Sequence, residues 1–533
     1  MKHIFTLISL LSFGVMAQVP ENFIVEIEPL TITNAPGVHS FSVGVTDDNK
    51  WVVLGGRIDG LHQRQPFAAF LEQDNNKSVY VIDPVNEQVW SSDLSVLSAS
   101  LFEQLQSTNQ NFHQRDTMLY IVGGYGYSAT AADHITFPNL VAISINELAA
   151  AVIAGSNIVP YFRQITDVNL KVTGGHLGLL NDLFYLVGGQ LFDGRYNPMG
   201  PTQGPGFIQQ YTDEIRTFNI DDDGVNLTVS NYSAQHDAVN LHRRDYNMSP
   251  QIFPNGDHGF TAFSGVFDPN DLPYLNSVDI TNTGYTVNNT FNQYLSQYHS
   301  AKIPVHDVAA NTMHTLFFGG LSQFTLDAQN NLVEDTEVPF VKTISRVTRS
   351  SNGTMQEINL GYVEMPALLG AGAEFIQTDD YFVDNILNLN SIPQTKTLVG
   401  YIYGGIESSA ENIFFINDGT QSWANNTIFK VFINKEVVGL EEFALNDNSI
   451  INLNVFPNPV GRKMTVNFFA AQLGEYDLNI SDTNGKIVLK QEIDVEQIGT
   501  QETIIKMSDL APGTYTITLS DGLHVGHINI LKD

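Results

Sequence analysis

Two short segments set proton-transfer groups beside anion-gripping ones: His113-Gln114-Arg115-Asp116 and His242-Arg243-Arg244-Asp245. Other histidines stand in comparable surroundings, in His39-Ser40, Gly174-Gly175-His176 and His299-Ser300, and Glu374 follows Gly370-Ala371-Gly372. Imidazole exchanges a proton near neutral pH, and a guanidinium fork matches a planar anion. If His39, His113, Arg115, His176, His242, Arg244 and His299 converge on one axis, they form a site for an acidic sugar or another anionic group. The same residues can instead brace neighbouring elements through Arg–Asp pairs and His–backbone hydrogen bonds. Repetition along the chain favours bracing, because a catalytic site breaks symmetry. The histidines are too scattered for a zinc motif, and no metal ligand set is expected. Asp221-Asp222-Asp223-Gly224 and Asp268-Pro269-Asn270-Asp271 have the composition of calcium loops without their spacing, and acidic turns are ordinarily just solvated. Calcium is thus the one cofactor left open. No phosphate loop, dinucleotide fingerprint or nucleophile elbow occurs in a supporting context.

These residues are spaced by a repeat. A short strand ending in a glycine pair recurs as Trp51–Gly56, Leu119–Gly124, Phe184–Gly189, Leu316–Gly320 and Gly400–Gly405, with a degenerate copy at Thr261–Gly265. The period is ragged, about 70 residues. A residue without Cβ can take φ > 0 and lets backbones approach closely at a strand end. Each unit holds further short runs: one upstream (His39–Val43, His176–Leu180), one downstream (Val79–Ile82, Leu140–Ile143, Ile215–Phe218) and a fourth (Phe162–Ile165, Met355–Ile358). Four strands per repeat make a propeller blade. Over residues 22–437 the chain resembles the kelch repeat family, although the family's downstream tyrosine and tryptophan are missing or displaced. The resemblance implies an all-β fold, a six-bladed kelch-like β-propeller, with seven blades as the alternative count. Phe23–Ile27 precedes the first blade, and Thr427–Phe432 ends the last in a third-strand pattern. The N-terminal segment is therefore expected to supply the outer strand of blade six and latch the ring.

Residues 438–454 lack a strong period and read as a linker. Beyond them, in 455–533, short alternating runs are separated by turns at Thr483-Asn484-Gly485, Ala511-Pro512-Gly513 and Ser520-Asp521-Gly522. About seven strands in this length make a small Ig-like β-sandwich. The motifs Phe456-Pro457-Asn458-Pro459, Gly485-Lys486-Ile487-Val488 and Leu510-Ala511-Pro512-Gly513-Thr514-Tyr515, with Lys532 near the end, resemble the type A C-terminal sorting domain of the type IX secretion system of Bacteroidetes. That resemblance implies export across both membranes, the type IX machinery as a partner, and a passenger released or attached at the surface.

The other end agrees. Met1-Lys2-His3 is basic, Ile4–Val15 is apolar over about 12 residues, and Val15-Met16-Ala17 offers small residues for cleavage, so 1–17 read as a signal peptide. No stretch reaches the roughly 20 apolar residues of a membrane-spanning helix. Cysteine is absent, which excludes disulfides, thiolate metal sites and a cysteine nucleophile. The formal net charge is −32, from 25 basic and 57 acidic residues, so nucleic acid is not an expected partner.

Enzymes on related propellers are tested by absence. Copper-radical oxidases need a cysteine joined to tyrosine, and sialidases carry Ser-x-Asp-x-Gly-x-Thr-Trp turns; neither occurs here. Sialic acid mutarotases of the kelch type remain compatible. The expectation is a secreted or surface propeller that binds a glycan or a protein. The alternative is a carbohydrate-active enzyme, mutarotase- or hydrolase-like, working at the channel mouth.

Overall fold

The computed structural model describes residues 23–435, 443–444 and 451–533, except 66, 203, 205, 328–331, 379, 452, 471–473, 484, 496–498 and 522–524. The expected signal peptide, 1–17, and most of the expected linker, 438–454, lie outside the described residues. Nearly all regular structure is strand.

Among the described residues, six units built on four antiparallel strands follow one another along the chain; the fifth sheet is extended by Phe382–Val383, Ile386–Asn388 (parallel to its first strand) and Phe443–Ala444, and in the sixth Ser422–Ala424 also pairs with Thr397–Ser408. Each is a meander that starts with a short strand and continues into the strand bearing the glycine pair. The first unit is Ser42–Val45, Trp51–Leu54, Ser78–Asp83 and Gln88–Asp93. The second is Asn111–Arg115, Met118–Val122, Asn139–Ser144 and Phe162–Thr166. The third, fourth and fifth repeat this order from His176, Asn247 and Ala301. The sixth takes Leu368–Gln377, Thr397–Ser408 and Ile428–Asn434 from its own stretch of chain, and its outer strand is Ile24–Leu30. That pairing is the one the sequence pattern leads one to expect.

The strands that lead into the glycine pairs are buried on both faces, and successive residues serve different neighbours. Leu119 and Ile121 pack with Val52, Leu54, Val79 and Val81 of the first sheet, whereas Tyr120 and Val122 pack with Leu177, Phe184 and Leu186 of the third. Further clusters join third to fourth, fourth to fifth and fifth to sixth sheets. Trp51, Val53 and Ile82 of the first sheet pack with Tyr401, Tyr403 and Ile428 of the sixth. Polar braces add to these contacts: Arg349 holds Asp279 at 2.6 and 2.9 Å, and Arg163 pairs with Asp222.

The glycine pairs sit at the same junctions. Both residues of every pair have φ > 0, and in the degenerate fourth copy Ser264 adopts φ 49°. A Cβ on Gly123 would stand 1.8 Å from Val172 O, which belongs to the approach to the next sheet. The following amide, Gly124 N–H, donates to that carbonyl at 3.0 Å. The bond recurs from Gly56 to Ser107, Gly189 to Arg243, Gly265 to Gln297 and Gly405 to Val38. Glycine is thus favoured where one sheet's strand end touches the next sheet's entry, and at Gly123 a Cβ has no room at all.

The tail is a separate two-sheet unit. Leu453–Phe456, Lys463–Ala470 and Gly499–Lys506 form one sheet; Ile487–Val495, Gly474–Asp482, Gly513–Ser520 and Val525–Lys532 form the other. Val466, Phe468, Tyr476, Leu478, Ile480 and Ile517 are among its buried core.

Candidate functional site

The chain entering each sheet and the chain leaving each glycine pair meet at one place. Single antiparallel bridges join His39 to Arg57, Thr108 to Tyr125, Thr173 to Gln190 and Arg244 to Val266. One residue further on, six backbones pass a hydrogen bond round a closed ring. Ser40 donates to Gly372 (2.8 Å), Gly372 to His299 (2.9 Å), His299 to Asp245 (2.9 Å), Asp245 to Gly174 (2.9 Å), Gly174 to Asn109 (3.0 Å) and Asn109 to Ser40 (3.1 Å). A cavity of about 450 Å³ opens on one side of this ring and one of about 160 Å³ on the other; Ser40, Asn109, Asp245 and His299 line both.

Aromatic residues wall the larger cavity, among them Phe70, Tyr125, Tyr196, Phe267, Tyr298 and Phe414. Its floor is chemically uneven: equivalent positions before the ring carry His39, Thr108, Thr173, Arg244, Tyr298 and Ala371. Arg57 is 2% exposed and donates to both oxygens of Asp59 (2.8 and 2.6 Å) and to Asn75 Oδ1 (2.8 Å). Burial pushes the Asp59 carboxyl up, but His39 and the Arg57 charge outweigh it and hold the group at about 2. Arg244 pairs with Asp245, and its Nε donates to Tyr211 OH at 3.1 Å. Burial opposes its charge; Tyr211 and Asp245 more than restore it, so the guanidinium stays ionised. Each guanidinium therefore already has its carboxylate. The expectation of an acidic ligand finds no unpaired cation in Arg57 or Arg244. His62, packed 4.6 Å from the Tyr196 ring, is pushed down to about 4 by burial and is neutral at pH 7.

The seven sequence-predicted residues part company here. His39, Arg244 and His299 line the larger cavity. His299 Nε2 also stands 2.9 Å from Glu374 Oε1; burial pushes that carboxyl up, but the imidazole beside it holds it below its ordinary value. His176 lines only the smaller cavity, with Nε2 2.6 Å from Tyr246 O and its ring 5.0 Å from that of His299. Burial keeps it neutral. The other three do not face either cavity. His113 lies edge-on to Phe184 between the second and third sheets, where burial pushes it down to about 4. Arg115 lies at its strand's far end and braces the third sheet, donating to Tyr120 OH (3.0 Å) and Ile220 O (3.2 Å). His242 stacks on Tyr211 at 3.8 Å and contacts Asp213 Oδ1 at 2.7 Å. Arg243 is a brace too, donating to Asn240 O, Ser264 O and Asn276 O. In the acidic turns, Asp222 is held by Arg163, and Asp223 and Asp268 accept the amides of their own turns.

Arg57, Tyr125, Gln190, Leu321 and Ile406 were not singled out in the sequence, yet all line the cavity. Each directly follows a glycine pair, a signal that was available.

Residues 454–530 match the family described as secretion system C-terminal sorting domain. The tail carries a type IX sorting signal. It marks the protein for secretion, to the medium or the cell surface, with the type IX machinery as its partner. No helix among the described residues is long and apolar enough to cross a membrane. No curated protein matches the chain. Among solved structures, that of YjhT is similar at 11% identity, over 76% of this chain and 99% of that one, with a TM-score of 0.42.

Proposed function

We propose that residues 22–437 are a six-bladed kelch-like β-propeller, exported by the type IX route after removal of a signal peptide, that binds a neutral glycan in the cavity at the mouth of its axis. The cyclic packing of sheets and the six-membered backbone ring support the propeller. The observation that carries the ligand class is the cavity's lining: aromatic walls over a polar floor whose two arginines are already paired. About 450 Å³ falls within the range of small-molecule pockets, about 300–1,000 Å³. Aromatic faces suit the C–H faces of a sugar ring, and Thr108, Asn109, Gln190 and Asp245 offer partners for its hydroxyls. A protein loop needs a broader surface than this recess.

A glycan array probed with the full chain tests the reading. Neutral glycans are expected to be retained, with retention lost on Arg244→Ala, which also strips Asp245 of its partner. Retention of acidic glycans alone, or retention untouched by the substitution, would overturn it.

A further inference from the structure

One lip of the mouth cavity is built unlike the rest. Residues 61–65 and Phe67, 195–199 and 414–417 are tied together around Arg64. Its backbone N–H donates to Asn417 O at 2.9 Å and its Nη1 to Pro198 O at 2.8 Å. The guanidinium lies 5.0 Å from the centre of the Phe415 ring and 5.3 Å from that of Phe414. Arg195 closes the cluster by donating to Phe67 O at 3.0 Å. Phe415 lines the cavity and is nevertheless 55% exposed. Phe67 and Met199, in the same cluster, are 69% and 47% exposed. Elsewhere on the lip, Asp271 and Glu337 stand exposed instead. Apolar side chains exposed at the rim of a cavity mark a contact surface. A ring already fixed by a guanidinium loses little freedom when something settles on it.

The floor restricts what that contact is. The backbone ring narrows the axis below the cavity, and the space on its far side, about 160 Å³ against about 450 Å³, is the smaller. The wide opening of the cavity is therefore at the lip. One end enters, and the remainder leaves over the lip. We infer that the cavity takes the chain end of a neutral oligosaccharide and that the next sugar stacks on Phe415, an inference that rests on the glycan reading above. The protein thus recognises chain ends and not the interior of a polymer, and Phe415 sets a preference for length.

Calorimetric titration of the full chain with gluco-, manno- and galacto-configured ladders, from monosaccharide to tetrasaccharide, tests this. Within the ladder that binds, affinity is expected to rise about tenfold from monosaccharide to disaccharide, the size of one aromatic stacking contact. Phe415→Ala should erase that gain and Phe415→Trp should keep it. A gain that survives in Phe415→Ala, or a wild-type affinity independent of length, overturns the inference while leaving the glycan reading standing. If no ladder binds the wild type at any length, the glycan reading falls and takes the inference with it.

Discussion

Arg243 and Arg244 are sequence neighbours with opposite duties. The first is sealed among carbonyls beside the fourth sheet, where burial pushes it down to about 10 and leaves it charged at neutral pH. The second turns into the cavity beside Asp245. The histidines show the same division. His39 stands one residue before the backbone ring, His299 on it, His176 two after it, His113 four after it and His242 three before it. Similar local composition hid different registers, so of the seven predicted residues only those within one step of the ring, His39, Arg244 and His299, reach the mouth. Buried ionisable groups away from the mouth give a separate residue-scale prediction. Glu357 is fully buried, and burial pushes its carboxyl up to about 8 from an ordinary 4.5. The folded chain keeps a proton there that the unfolded chain loses, so its contribution is full below about 4.5 and fades as pH rises through about 8. Glu357→Gln keeps an acceptor for the Tyr294 and Leu295 amides without the titration. Melting curves from pH 5 to 8 should fall less steeply for this variant than for the wild type; parallel curves would refute the assignment.

At the scale of the element, the glycine pairs were legible because their cause is local. A strand end that touches the next sheet's carbonyl at φ > 0 favours a residue without Cβ, and the sequence records that at five of six units, Ser264 standing at the fourth. The latch was legible for a similar reason, since the last unit lacks a fourth run of its own. What the sequence could not display is which residues of the longer loops, such as Phe70, Tyr196 and Phe414, reach the mouth, because loops carry no period. The latch strand is tied down along its length. All seven residues of Ile24–Leu30 pair with Ile428–Asn434, Val25 is fully buried, and Lys396 bridges Glu26 and Glu28 at 2.6 and 2.7 Å. Val25→Asp places a carboxylate inside the core between the fifth and sixth sheets and should cost on the order of 3 kcal/mol. Urea denaturation of the full chain would read this; an unchanged midpoint would mean that the strand does not close the ring.

The whole molecule divides its labour between its ends. The tail is an address, and its motifs are dense enough that sequence, sandwich and family match agree over the same residues. The chain is strongly acidic, −32 in formal charge, which disfavours polyanions, and the two arginines that line the recess are each paired with a carboxylate. Sequence legibility follows the same division. Architecture and destination rest on repeated or contiguous residues; the cavity rests on single residues gathered from six sheets. The central claim is that those gathered residues hold the ligand. A crystal structure of the full chain grown with an array-retained neutral glycan examines it most directly. The account predicts a sugar ring in the mouth cavity against the aromatic wall, within hydrogen-bond reach of Asn109 or Asp245. A sugar bound on the tail sandwich or on the outer blade edges, with the cavity holding solvent alone, would contradict it.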